Sequence, residues 1–396
     1  MPIILPPGCL KTDRQKSPRN DTPGEDGMFP VQATTLALQT DTEVVKYRIG
    51  IDVGGTTTTI AIGNDTREVV VVSEQFESRT AEGPQSTSQA ILDQIETGLT
   101  ALGGTTEDII DVGLATPGPA TLDGVLRNTP NLDPALWNGF PFRATLEEKI
   151  RQWSPRASVH YIGDGQAAAY GEYSIRSGAV TWDRVGPMAA GPKALSSLFM
   201  LIVGTGLGGG QVQDGRVVRG KEGRAGHAGH LLLPPYAFRY EHDQQLRVGN
   251  AMCTAESAIS LTGLTHQLEY RLTLPQWADH PLQSVAGSTR DKAKSLRGLA
   301  SQGDPLAMEL FDDQARALGI TLLDLNYVGD FDLLIIGGGV CDLSADVKTR
   351  YKRIAEEAYR EYALDGFRDL DCLEFSSCGD ESPVIGALAF AYTAAL

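Results

Sequence analysis

No stretch of the chain reaches the ~18 consecutive apolar residues that a membrane-spanning helix needs. Its most apolar run, Leu198–Val203, has the length of a buried strand. Cysteine is scarce: Cys9, Cys253, Cys341, Cys372 and Cys378 are an odd, scattered set without a CxxC pair. Such a set makes no disulfide framework in a large chain and points to a reducing, cytoplasmic setting. Positive charge is also short. Lys and Arg total 34 against 50 Asp and Glu, a formal charge of −16, and the only basic runs are short and mixed, such as 216–224. That balance argues against a nucleic-acid partner. An anionic ligand would have to be held by local backbone donors and a metal, because the bulk field repels it. No basic stretch leads into an apolar core near Met1, so no secretory leader is expected. The GxxxxGK[ST] signature is absent, which excludes a P-loop.

At 396 residues with 41% hydrophobic and 21% charged residues, the chain reads as a soluble protein of two domains. Residues 1–46 lack periodicity, and Lys11–Asp26 has the composition of a disordered tail. Strands are expected at Tyr47–Val53, 56–62, 69–76, 109–115, 159–162, 198–203, 210–213 and 333–336. Helices are expected over 86–102, 143–153, 165–173, 254–261, 304–327, 344–362 and 383–396, with a loop over 177–194. Strand, glycine-rich turn and returning strand occur twice, about 150 residues apart, which describes an internal repeat of two α/β halves facing a cleft.

Three glycine clusters each end an apolar strand: Gly54-Gly55, Gly204–Gly209 and Gly337-Gly338-Gly339. Glycine there lets backbone N–H groups close on phosphate oxygens, although each cluster taken alone is also an ordinary tight turn. Gly204–Gly209 approaches GxGxxG but opens a hairpin rather than a helix, so a Rossmann reading fails. Asp164 lies between a strand and a helix, where an aspartate can serve as a catalytic carboxylate or as a helix N-cap. Asp52 stands just before the first turn, where a carboxylate can brace the turn.

Together these segments resemble the ROK family of sugar kinases. Asp52-Val53-Gly54-Gly55-Thr56-Thr57 looks like the first phosphate loop of that family, Gly204–Gly209 like its second, and Leu334–Gly339 like its adenosine segment. Gly163-Asp164-Gly165-Gln166-Ala167-Ala168-Ala169 resembles the stretch usually written NDANAAA. Ala115–Pro119 and Asn131-Leu132 resemble its sugar-side loops, and Gly226–His230 stands where the family has GEIGH. The resemblance implies two actin/hexokinase-like (ribonuclease H-like) α/β domains. These would span 47–165, with helix 384–396 packing back on it, and 166–383. It also implies an ATP-dependent kinase with Asp164 as general base and Asp52 placing Mg²⁺, through water. ATP would be bound by Gly54, Gly55, Thr56, Thr57, Gly204, Thr205, Gly206, Gly208, Gly337, Gly338 and Gly339. The sugar would be read by Asn131, Gly163, Asp164, His227, His230 and Glu256.

The chain also departs from that family. Its structural zinc uses one histidine and three cysteines, but Leu231–Met252 contains no cysteine. His227, His230, His242 and Cys253 have no recognised zinc spacing, so no zinc is expected. Gly163 replaces an asparagine and His227 a glutamate, two polar readers of sugar hydroxyls. A sugar-responsive regulator or a non-catalytic binding relative is the competing reading. Residues 1–46 lack the two helical patterns of a winged helix-turn-helix. A homodimer is one of the assemblies left open.

Overall fold

Alternation in the first strands decides where the layers go. In β1 (Tyr47–Val53), Tyr47, Ile49, Ile51 and Val53 are buried on one face, while Arg48, Gly50 and Asp52 take the other. β1 turns into the antiparallel β2 (Thr57–Gly63), followed by β3 (Val69–Val72) and the short β4 (Phe76–Glu77). β5 (Ile109–Thr116) and β6 (Ser158–Gly163) run parallel to β1, giving the order β3-β2-β1-β5-β6 with β4 paired to β2. The outer face of this sheet packs on α1 (Pro84–Ala101) and α3 (Phe142–Trp153), with the short α2 (Pro134–Trp137) contributing the buried Trp137.

The second sheet repeats the plan. β7 (Leu198–Val203), β8 (Leu207–Gln213) and β9 (Arg216–Val217) are antiparallel, and β10 (Leu333–Gly338) and β11 (Leu373–Phe375) add in parallel, in the order β11-β10-β7-β8-β9. Its outer face carries Phe199, Leu201 and Val203 against the helices that follow. In chain order α4 (Asp164–Arg176) precedes the sheet, and α5 (Ala255–Ile259), α6 (Leu261–Arg271), α7 (Thr289–Ser301), α8 (Pro305–Gly329), α9 (Ala345–Tyr362) and α10 (Ser382–Thr393) follow β8. The fold is thus mixed α/β with two like sheets.

The inner faces of both sheets meet α4 and α10, in a core of small residues: Ala61, Ala115, Ala167, Ala168, Ala169, Ala387 and Ala389. A Cβ at Gly113 would lie 1.8 Å from the Ala387 carbonyl, and one at Gly386 would lie 1.7 Å from the Ala167 carbonyl. Only hydrogen fits at either place.

The structure, a computed structural model, describes residues 45–127, 129, 132–186, 195–370 and 372–393. The readings for 1–44, Asn131, 187–194 and 394–396 lie outside the described residues. Three expectations are corrected. The strand expected over 69–76 is two, because the Ser73 hydroxyl accepts from the Ile60 amide and interrupts the ladder. The helix expected over 254–261 stops at Ile259, where Ser260 caps a new helix through the Gly263 amide. Helix α7 was not expected, although Ser288 and Asp291 form a capping box at its start.

The seam gives a first prediction. Gly386→Ala should lower stability by about 3 kcal/mol, since both neighbours are backbone and cannot rotate away. Gly298→Ala, on the exposed face of α7 with nothing within 4 Å, should instead add about 0.5–1 kcal/mol. Urea midpoints of the two variants check the opposite signs.

Candidate active site

The register places the strand ends side by side. Asp52 on β1 pairs with Ala115 on β5, and Thr116 at the end of β5 pairs with Gly163 at the end of β6. In the second sheet Val203 pairs with Gly338, so the turns after β7 and β10 are neighbours. Carboxyl ends of parallel strands are where open α/β sheets bind ligands.

The first turn is tied from behind. The Gly54 amide donates to Thr57 O at 2.8 Å, the Ser78 hydroxyl donates to Gly54 O at 3.0 Å, and the Thr80 hydroxyl donates to Gly55 O. Thr56 and Thr57 are exposed. The second turn is held by α6: the Leu261 amide donates to Gly204 O at 2.9 Å, and the Thr262 hydroxyl donates to Thr205 O at 2.9 Å. Gly204 and Thr205 are exposed. In the third, Gly338 has φ +78°, and a Cβ there would meet Val203 O at 2.5 Å. The carbonyls of the first two turns are thus engaged within the protein, which suits amides that face an anion.

Asp164 is the first residue of α4. The N-cap is Gly163, without a side-chain cap bond, so capping is not what Asp164 does. Its Oδ1 accepts from the Gly165 amide at 2.7 Å. The residue is exposed, yet surrounding protein partly shields its carboxylate from water. That confinement raises its pKa above the usual carboxylate range, while the Gly165 amide pulls the other way. Asp52 is half-buried, and burial followed by the charge of Asp164 pushes it up to about 7. The two carboxyls lie at the carboxyl end of the first sheet, on β1 and just after β6 with β5 between them, close enough for the charge of Asp164 to act on Asp52. The second sheet closes in from the other side: a Cβ at Gly165 would touch Gly209 O at 2.6 Å.

Around Asp164 stand groups that sequence reasoning missed. Tyr161 is buried, shares a 3.1 Å hydrogen bond with the Thr116 hydroxyl, and is pushed up to about 12, chiefly by burial. Gln166 is 4% exposed; its Nε2 donates to Gly223 O at 3.1 Å and Ala225 O at 3.0 Å, while its buried Oε1 has no partner and lies 3.6 Å from where a Gly163 Cβ would be. Arg219 donates to Leu122 O at 2.8 Å and keeps its own Nε buried and unpaired. On α7, Arg290 reaches the Thr205 hydroxyl at 3.5 Å, and Arg297 donates to Gly339 O at 3.1 Å. The capping box of α7 is the signal that could have found the last two.

His227 lies near Gly118, its Nε2 3.9 Å from a Cβ placed there, and its ring centroid is 6.3 Å from that of His230. Burial, then His230 and Arg224, holds His227 below its ordinary pKa. Glu256 accepts from the Leu207 amide at 2.9 Å, so its carboxylate braces the second glycine turn, while the amide of Ala255 beside it donates to Leu231 O. The structure therefore sets Gly163 and Asp164 at the end of β6, His227 beside Gly118 after β5, and Glu256 against the start of β8.

Comparison with known proteins settles the kinship. The ROK family profile matches residues 48–394. The chain belongs to the ROK family. It is 27% identical over 349 residues to a glucokinase from Halalkalibacterium halodurans, covering 86% of this chain and 93% of that one. It is 27% identical over 299 residues to an N-acetylmannosamine kinase from Escherichia coli, covering 74% and 82%. Among solved structures, the ROK hexokinase from Thermus thermophilus superposes with a TM-score of 0.66 at 28% identity, over 88% of this chain and 99% of that one. The two sheets are those of the actin/hexokinase-like fold.

The residues of this ROK chain do not fit the structural zinc that the family resemblance implies. His242 is stacked between the rings of His266 and Tyr270, at 4.1 and 4.5 Å. The Cys253 thiol points at Gln244 O. Among the described residues no three His, Cys, Asp or Glu side chains converge on a metal position. A cavity of about 560 Å³ lies between 72–75 and 379–381, where Glu74, Asp342, Asp380 and Glu381 outnumber Arg184, so its wall suits a polyphosphate poorly. The glycine turns suit one better.

Asp52 makes the site's charge measurable. In the fold it keeps its proton to about pH 7, against 3.8 ordinarily. The stability it contributes is therefore present below about pH 4 and is lost as pH rises through 7. Asp52→Asn should be more stable than wild type at pH 8 by about 1–2 kcal/mol, after allowance for solvent screening, and equal to it near pH 4. Urea titrations at the two pH values decide, and an Asn variant less stable at pH 8 would contradict the assigned burial.

Proposed function

We propose that this chain is an ATP-dependent sugar kinase that passes the γ-phosphoryl group of ATP to a sugar hydroxyl. The observation that carries the reading is Asp164, exposed at the start of α4 and raised in pKa. The names of the glucokinase, hexokinase and N-acetylmannosamine kinase relatives support the acceptor class. In the reaction the acceptor hydroxyl attacks the γ-phosphorus, the bond to the β–γ bridging oxygen breaks, ADP leaves, and the hydroxyl proton passes to Asp164. A raised pKa brings the base nearer the working pH and makes it a better proton acceptor.

Gly54, Gly55, Thr56 and Thr57 with Gly204, Thr205, Gly206 and Gly208 would hold the phosphates, and Gly337, Gly338 and Gly339 the adenosine. Arg290 and Arg297 add positive charge along that path, which the acidic chain otherwise lacks. Mg²⁺ would neutralise phosphate charge, and Asp52, whose pKa burial pushes up to about 7, fits a single carboxylate acting through water. A boundary near residue 165, with the C-terminal helix returning to the first sheet, lets two halves close on the substrates. His227, His230, Glu256 and Asn131 belong to the sugar side of the same reading.

The test is a screen of hexoses, N-acetylhexosamines and ketoses for ADP release with Mg²⁺-ATP. Asp164→Asn should lower turnover by ~10²–10⁴-fold with its melting transition nearly unchanged. Near-normal turnover in Asp164→Asn would remove the assigned base. Sugar binding by calorimetry without ADP release would favour a binding or regulatory protein instead.

Specificity follows from Gly163 and His227. Losing an asparagine amide and a carboxylate at the sugar side should leave glucose a poor substrate. Hydrogen bonds to a charged group contribute about 1.5–3 kcal/mol, so restoring them is worth ~10–100-fold. Gly163→Asn with His227→Glu should raise kcat/KM for glucose by that factor. Glucose ranking first for the unmodified protein would refute the expectation.

A further inference from the structure

The segment from Leu231 to Thr254 poses a physical problem. It spans the whole stretch between the His227–His230 turn and α5, and its only helical pieces are two short 3-10 turns, Pro235–Ala237 and Glu241–Gln245. A connection of this length loses much conformational entropy on ordering and needs something to hold it. Its ends are closed by backbone: the Leu233 amide donates to Cys253 O at 2.7 Å, and the Ala255 amide donates to Leu231 O at 2.8 Å. Its middle is held by charge.

Arg271, at the end of α6, is 0% exposed, and Asp243 in the segment is 1% exposed. The guanidinium meets Asp243 in a two-pronged pair, Nη1 to Oδ1 at 2.8 Å and Nη2 to Oδ2 at 2.9 Å. Nη2 also donates to Asp313 Oδ2 on α8 at 3.0 Å, and Nε donates to Glu309 Oε1 at 3.3 Å. The ring of Tyr240, in the same segment, lies 4.2 Å from the guanidinium carbon. Arg239 adds a second cation onto Asp313, its Nε–H shared between Oδ1 at 2.7 Å and Oδ2 at 2.9 Å. One fully buried cation thus ties the segment to two helices in a fixed orientation, which the planar fork of arginine does and the point charge of lysine does not. No metal cage is found there among the described residues.

We infer that Arg271 is a positioning residue for the sugar end of the cleft. It acts through Asp243 to fix the segment, and hence His227 and His230 at one end and Glu256 at the other. Glu256 in turn holds the second glycine turn through Leu207. The functional half of this inference rests on the sugar-kinase reading, whereas the clamp itself rests on geometry alone. A reader displaced by a fraction of an ångström binds poorly although the chemistry beyond it is intact.

Asp243→Asn keeps shape and removes the charge, and Arg271→Lys keeps charge and removes the fork. In each, KM for the sugar should rise ~10-fold, equivalent to about 1.4 kcal/mol, with kcat held within about twofold and KM for ATP, which feels the segment only through the Glu256–Leu207 bond, rising less than that for the sugar. Hydrogen–deuterium exchange should quicken across 231–253 and stay unchanged in β1, β2, β7 and β10. Sugar KM within about twofold of wild type in both variants, or unchanged exchange across 231–253, overturns the inference. So does an equal loss in kcat and in both KM values. If Asp243→Asn does not fold, Glu309→Gln carries the same measurements, because it removes only the longest contact of the four. If the wild-type protein shows no kinase turnover, the kinase reading fails and the exchange pattern alone still decides the clamp.

Discussion

Everything at the cleft depends on how closely α4 and α10 can approach each other and the two sheets. The approach is set by hydrogen atoms: Gly386 faces the Ala167 carbonyl, Gly113 faces the Ala387 carbonyl, and Gly165 faces Gly209. A single methyl at any of these places would push one layer from the next by ångströms, and densely packed interiors transmit such a shift. The consequence is local. Asp164 opens α4, and α4 touches β8 of the opposite sheet, so the spacing of the seam is also the spacing between the carboxylate and the second glycine turn. Small residues along 163–171 therefore pack the seam and, on the proposed reading, also set the floor of the site.

Charge is arranged against the average of the chain. A protein with 50 acidic and 34 basic residues repels polyphosphates at long range, and salt does little for groups inside the cleft. Backbone amides at the turns do not alter net charge, so they attract without adding cations to the surface. The basic groups that do face the path, Arg290 and Arg297, are each already held, by Thr205 and by Gly339 with Asp342. Held side chains lose little freedom when a ligand arrives, which is the advantage of such pre-organisation. On the proposed kinase reading, the negative charge of Asp164 and of an ionised Asp52 opposes this attraction until a proton or a cation meets it.

Much of this was legible in the sequence because it is periodic or compositional. The alternation of Tyr47, Ile49, Ile51 and Val53 gave β1 within its observed bounds, and the strand–glycine–strand repeat gave two sheets of like topology. What was not legible is long-range. β11 has three residues, too few for a period, and exists because β10 offers it a parallel edge. Helix α7 has a polar surface that hides its period, and its capping box was the better signal. Arg219, Gln166 and Arg271 were invisible because nothing in an arginine or a glutamine predicts burial; only the neighbours reveal it. Glu256 was placed on the sugar side by resemblance, and its contact with Leu207 could not have been read from spacing.

The pairing of Gly163 with Gln166 shows how such a site can change its preference without losing its frame. Removing a side chain at 163 leaves the backbone path of β6 intact, since the strand pairs through Thr116 and Gly163 by main-chain bonds. It also leaves the Gln166 carbonyl oxygen without a donor, while the amide nitrogen of the same side chain is pinned by Gly223 and Ala225. The pinned nitrogen prevents the amide from rotating to relieve its other end. An unsatisfied buried acceptor costs about 1–3 kcal/mol, and a side chain or solvent molecule that donates to it recovers that energy. The floor beside Asp164 is thus not merely emptier than an asparagine would make it. On the sugar-kinase reading, the Gln166 oxygen sets an acceptor beside the position where the family's asparagine would stand, and that sign bears, with the added space, on what the position beside Asp164 can accommodate.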